Sequence, residues 1–99
     1  IAESWGIHDA FQGIQMPVHS LKGYNGHSFG ACGAIETIVL NNMLRDQIMI
    51  PNFNLDNIDP QVAPLNFITK NHKAYLQTVL NFSSGFGGIN SSFILRATQ

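Results

Sequence analysis

The chain has 99 residues, 44% of them hydrophobic and only 11% charged, with a formal net charge of −1 at pH 7. That length supports one modest core, and so little charge implies apolar faces covered by a partner or by the rest of a larger protein; a start at Ile1 without an initiator methionine favours the larger protein. Scattered basic residues exclude a phosphate-tracking nucleic-acid surface and a single cysteine excludes an internal disulfide. No apolar run reaches the ~18 residues of a membrane helix, so a cytoplasmic protein is expected.

Ile1, Trp5, His8 and Phe11 fall on one helical face, which predicts a helix over residues 1–11 with Gly13 as its stop. Residues 15–20, carrying Pro17 and Val18, read as a brief strand or extended lead. Residues 28–44 are the strongest helix in the sequence, with no proline and with apolar side chains from Phe29 to Leu44 around nearly the whole circumference, so burial on most sides is expected. Gly30, Ala31, Gly33 and Ala34 would let another backbone approach its first two turns, and Arg45 suits its negative end. Residues 47–50 read as a strand ended by Pro51, and residues 52–64 as a loop with turns. Residues 74–82 and 89–96 are β-rich and flank Gly85-Phe86-Gly87-Gly88, which predicts a hairpin.

The residues best suited to chemistry gather around one turn. Lys22 and His27 stand on either side of a glycine-bounded stretch, and the predicted helix begins where His27 sits. Unpaired N–H groups and the positive dipole end at a helix start disfavour the imidazolium, and a neutral imidazole donates one hydrogen bond without being a full acid. The plainer alternative is a structural histidine tied to backbone. Glu36 lies nine residues after His27, two and a half turns into the helix. If Lys22 folds back beside that helix, the two charges pair in an interior that offers few others.

Gly85, Gly87 and Gly88 permit backbone conformations that other residues avoid, and Phe86 between them is either the plug of a tight hairpin or a gate on a loop that substrate approaches. Cys32 falls inside the predicted helix rather than at its first turn, gains little from the dipole, and reads as a structural thiol. His8, His19 and His72 show no ligand spacing with one another, with Cys32 or with the acidic residues, so neither a metal site nor a cofactor is expected. Gly30-Ala31-Cys32-Gly33 is not a dinucleotide fingerprint.

Lys22, Gly26, His27, Gly30, Gly33 and Glu36, taken with Leu44-Arg45-Asp46, Pro51-Asn52-Phe53-Asn54-Leu55-Asp56 and Gly85-Phe86-Gly87-Gly88-Ile89-Asn90, resemble the C-terminal quarter of a β-ketoacyl synthase of the thiolase superfamily. The similarity spans the chain from Glu3, and the two motifs in this order and distance are specific where either alone would be weak. The resemblance implies an α/β fold, the C-terminal part of a thiolase-like layered αβαβα architecture with a long buried helix and a C-terminal β-hairpin. Residues 1–99 would form one partial C-terminal synthase domain.

It implies an acyltransferase reaction of fatty-acid synthesis: a malonyl thioester on acyl carrier protein is decarboxylated, and its carbanion attacks an acyl group held as a thioester on a cysteine. Carried over by position, His27 is one of two active-site histidines and donates a hydrogen bond to the malonyl thioester carbonyl. Lys22 orders the site through Glu36, while Phe86 is the gate whose N–H joins an oxyanion hole within Gly85 to Gly88. Ser84 stands where fatty-acid members often have phenylalanine, and Ile89 where threonine is usual. The nucleophilic cysteine and the first histidine of the family lie upstream of Ile1, so the chain alone is expected to be inactive and to need the rest of the synthase, which dimerises in the family. A polyketide-type ketosynthase, a non-catalytic partner subunit that sets chain length, and a stand-alone binding module are the alternatives; retention of both Lys22 and His27 speaks against the partner subunit.

Overall fold

A computed structural model describes residues 1–85 and 87–98. Helix α1 spans Ala2–Ala10 and ends as the sequence leads one to expect: Gly13, at φ +76°, donates its N–H to the His8 carbonyl at 2.9 Å. Its apolar face is not buried in this chain. Ile1 and Trp5 are exposed, and Ser4 is the helix's buried residue. The cause is what lies against the helix, which is a loop held by polar groups rather than a sheet. Ser4 Oγ donates to the Ile1 carbonyl at 2.7 Å and accepts from the Ala63 N–H at 3.0 Å, and Trp5 Nε1–H donates to the Gln61 carbonyl at 3.0 Å.

Three two-stranded ribbons follow. Strand β1 (Pro17–Val18) runs parallel to β3 (Asn66–Phe67), and β2 (Ile48–Met49) antiparallel to β4 (His72–Lys73). Strands β5 (Thr78–Ser84) and β6 (Asn90–Arg96) make the predicted hairpin, with Thr78 opposite Arg96 and Ser84 opposite Asn90. Strands β3 and β4 escape the sequence pattern because two residues are too few to show alternation.

Between β1 and β2 lie a short helix α2 (Lys22–Asn25), a 3-10 turn at Phe29–Ala31, and the long helix α3 (Cys32–Asp46). The helix predicted over 28–44 is therefore α-helical only from Cys32. Gln47, left-handed at φ +54°, caps α3 through its N–H to Met43. Its side-chain amide donates to the carbonyls of Leu44 and Leu76 at 2.6 and 2.7 Å and accepts from the Leu76 N–H at 2.7 Å, which ties the helix end to the segment entering β5.

The expected burial of α3 on most sides is not met within this chain, because the hairpin and β2 cover one face only. Leu40, Met43 and Leu44 are buried, whereas Ile38 is 62% exposed. The first and last of the buried three are one turn apart, so they form a single stripe. With Met49, Ala63 and Ile68 they make up the buried apolar core.

Asn52 holds the irregular half together. Its side-chain amide donates to the carbonyls of Val18 and Ile68 at 3.1 and 3.0 Å and accepts from the Ser20 N–H at 2.8 Å, while its own N–H donates to Ile68 at 2.8 Å. Three side-chain hydrogen bonds, each worth about 1 kcal/mol net, are lost in Asn52→Ala, so that variant should unfold with about 2–3 kcal/mol less stability in urea titration. Loss of under about 0.5 kcal/mol would contradict this account of the junction.

Candidate functional site

The site is built on the face of α3 that carries Cys32 and Glu36, one turn apart. Opposite it sits α2, which the Pro51–Phe53 segment locks in place. A Cβ on Gly23 would stand 2.7 Å from the Phe53 carbonyl oxygen, so only glycine allows this approach. Tyr24 Oη donates to the Pro51 carbonyl at 2.8 Å, and its ring lies 5.0 Å from that of Phe53. Gly26, at φ +69°, then turns the chain toward His27.

His27 Nδ1 accepts the backbone N–H of Phe29 at 3.0 Å. An amide nitrogen can only donate, so Nδ1 carries the lone pair and the proton of the neutral ring sits on Nε2. Phe29 takes the uncommon φ of +51°, and its N–H points back at the imidazole. The sequence argument relied on a helix dipole beginning at His27; with α3 starting at Cys32, the tautomer rests on this hydrogen bond instead. Cys32 is likewise displaced from its expected place inside the helix. It is the first residue of α3, half-buried, with Sγ 3.6 Å from the same His27 Nδ1.

Lys22 and Glu36 come together as the spacing suggests, Nζ to Oε1 at 3.8 Å. The pair is not an interior one in this chain: the Glu36 side chain is 17% exposed and that of Lys22 50%, because α2 crosses the surface and reaches the carboxylate from outside. At that exposure the attraction contributes at most about 1 kcal/mol, so the contact positions more than it stabilises.

His19, just after β1, is a residue that the spacing argument dismissed. Burial pushes its pKa below the ordinary 6.5, and the Glu36 carboxylate partly opposes that shift. No sequence signal linked the two, since burial and the reach of a carboxylate's charge are set by the fold and not by spacing. Gly85, Gly87 and Gly88 lie in the β5–β6 connection, with Gly87 and Gly88 at φ +92° and +85°, and the Gly85 N–H donates to the Ile89 carbonyl at 2.6 Å. Phe86 lies outside the described residues. Among the described residues, no hydrogen bond or ion pair joins this loop to His27 or Lys22, and no group of three or more His, Cys, Asp or Glu could hold a metal ion. No helix among them is long and apolar enough to cross a membrane.

The sequence model of the family described as "Beta-ketoacyl synthase, C-terminal domain" matches residues 1–56. The chain belongs to the β-ketoacyl synthase family. It is 33% identical to 3-oxoacyl-acyl-carrier-protein synthase 1 of Escherichia coli (strain K12) over 96 residues, covering 97% of this chain and 24% of that protein. A crystal structure of a β-ketoacyl synthase from Burkholderia phymatum STM815 superposes with a TM-score of 0.94 at 38% identity, over 100% of this chain and 24% of that one. A type II polyketide ketosynthase, solved in complex with its acyl-carrier protein and bound to the hexaketide, superposes at 0.89 with 32% identity, over 98% of this chain and 24% of that one. The fold is thus the α/β fold of a C-terminal part of these thiolase-like ketosynthases, and the chain spans about a quarter of the length of the synthases it matches.

His19 also gives this synthase segment a pH signature. Its folded-state pKa is depressed, so the stability it contributes is present above the ordinary value of 6.5 and is lost as the pH falls through the lower folded value. Urea titrations between pH 7 and 5 should show stability falling with pH, and falling less steeply in His19→Gln. Equal pH slopes in the two proteins would show that His19 is not the group responsible.

Proposed function

We propose that residues 1–99 are part of the C-terminal domain of a condensing enzyme, a 3-oxoacyl-acyl-carrier-protein synthase of fatty-acid synthesis, working in the cytoplasm as a homodimer with acyl carrier protein as its partner. The observation that carries this reading is the hydrogen bond from the Phe29 N–H to His27 Nδ1, because it leaves Nε2–H as the ring's one donor. Loss of carbon dioxide from a malonyl thioester places negative charge on the thioester oxygen. A fixed neutral N–H aimed at that oxygen stabilises the enolate without surrendering a proton that would quench it. The enolate carbon then attacks the acyl thioester held by the parent's cysteine, giving the β-ketoacyl product and releasing the thiolate.

Lys22, tethered to Glu36, orders the approach to His27 and does not serve as base. The Gly85–Gly88 loop with Phe86 would supply the gate and an oxyanion-hole N–H for the acyl thioester. The acyl carrier protein as partner is supported by the similar ketosynthase solved with its own carrier protein. The exposed apolar side chains of Trp5, Ile38, Leu80, Phe82 and Ile94 support a larger body, since the rest of a synthase would cover them. The likeness to that polyketide ketosynthase, at 32% identity, favours a polyketide-type condensation as the second reading. The acyl chains that the parent accepts would separate the two.

In the parent synthase, His27→Ala should lower malonyl-carrier-protein decarboxylation by about 10²-fold or more, and Lys22→Ala by about tenfold. Decarboxylation that survives His27→Ala at the wild-type rate would remove the basis of the assignment. The 99-residue chain by itself should release no β-ketoacyl product from acyl and malonyl thioesters, and measurable turnover by it would overturn the shared-site reading.

A further inference from the structure

Strand β5 packs against helix α3, and one junction sets the register between them. The Gln47 side chain, at the end of α3, donates to the Leu76 carbonyl and accepts the Leu76 N–H, each at 2.7 Å, just before β5 begins. Because α3 ends there, the contacts that β5 makes with it must lie back along the helix. From Gln47 back to Glu36 the helix rises about 16 Å, and from Leu76 on to Asn81 the strand rises about the same distance. Asn81 therefore comes level with Glu36. Both residues also face the shared interface. Glu36 precedes Leu40, Met43 and Leu44 on the buried stripe of α3, and Asn81, like Val79, is half-buried between the exposed Leu80 and Phe82.

At that level two buried atoms lack partners among the described residues. Lys22 takes Oε1 of Glu36 and leaves Oε2, an acceptor; Nδ2 of Asn81 is a donor, and both are shielded from solvent. Each alone is costly. The shielding leaves no room for a water between them, whereas the last torsion of each side chain is broad, so a small rotation closes a direct bond. Of the other two unpaired buried atoms, His8 Nδ1 belongs to α1 and His19 Nε2 to the turn after β1, and among the described residues neither α1 nor β1 packs against α3. The Glu36 charge acts on His19 without needing a contact.

We infer that Asn81 is a further positioning residue of the site: its side-chain N–H donates to Glu36 Oε2, leaving Oε1 for Lys22. Held at both oxygens, the carboxylate can no longer swing about its last torsion, and the direction from which it receives Lys22 is fixed. The catalytic consequence rests on the condensing reading above; the Asn81–Glu36 bond does not.

The bond is tested by thermal unfolding of the parent synthase. Asn81→Asp sets a second carboxylate against the first and should lower Tm by about 3 °C or more. Adding Glu36→Gln gives the new carboxylate an amide donor, so the double variant should melt above Asn81→Asp alone. Asn81→Asp melting with the wild type, or a double variant no more stable than Asn81→Asp, overturns the bond. Kinetics supply the second test and decide it even if Asn81→Asp fails to fold. Asn81→Ala should lower kcat for malonyl decarboxylation by about tenfold with little change in KM, and by less than about twofold where Glu36→Gln is already present. Asn81→Ala at the wild-type kcat, or an equal loss in both backgrounds, refutes the positioning role. A wild-type parent with no decarboxylation would sink the condensing reading and leave the melting comparison to decide the bond.

Discussion

Everything around the site depends on the side-chain amide of Asn52. Strands β1 and β3 share only two residue pairs, Pro17 with Asn66 and Val18 with Phe67, too few for a ladder to hold two distant segments in register. Asn52 makes up the deficit by taking the carbonyls of Val18 and Ile68 and the N–H of Ser20 at once, the two donors and one acceptor of a single planar group. The consequence reaches the chemistry. Ser20 Oγ accepts the Lys22 N–H at 3.3 Å, and Pro51 and Phe53, on either side of Asn52, hold Tyr24 and crowd Gly23. Where Lys22 can reach is therefore set by an amide that never touches it.

Helix α3 supplies the complementary rigidity. Cys32 and Glu36 meet His27 and Lys22 along one helical face, so the two contacts share a common baseline and cannot drift independently. The cost falls on the approach to the helix. Phe29 adopts a left-handed φ, a strain of order 1 kcal/mol for a side chain of this size, and is 78% exposed, its ring lying 5.0 Å from that of His27. What the strain secures is the direction of one N–H, toward His27 Nδ1.

The sequence made α1, the hairpin and the body of α3 legible because each carries a period long enough to read: four-and-three spacing in α1, β-rich runs on either side of a glycine cluster in the hairpin. The Lys22–Glu36 meeting was legible for a different reason, since two opposite charges in a chain this poor in charge have few other partners. Asn52 was invisible as a clamp because its partners lie 16 to 34 residues away in sequence. His19 was invisible because its significance is burial beside Glu36, which no spacing encodes. The burial expected for α3 failed in an informative direction. The pattern described a helix enclosed on most sides, and the side chains left uncovered, such as Ile38, mark where this chain has no layer to offer.

The same hydrogen bond that sets the tautomer of His27 also bears on Cys32. A cysteine becomes a nucleophile beside a histidine only when a ring nitrogen is free to take the thiol proton. Here the nitrogen within reach of Sγ is Nδ1, and its single in-plane lone pair already accepts the Phe29 N–H at 3.0 Å, a shorter contact from a better donor than a thiol at 3.6 Å. Nε2 is protonated and lies on the far side of the ring, so it offers no acceptor either. Cys32 thus has a histidine for a neighbour without having a base, and in the proposed reaction His27 keeps its one proton for an incoming oxygen. In the proposed reaction the thiolate must come from elsewhere in the synthase, which leaves this wall of the site to do one thing: present a neutral N–H from a ring held by a strained turn.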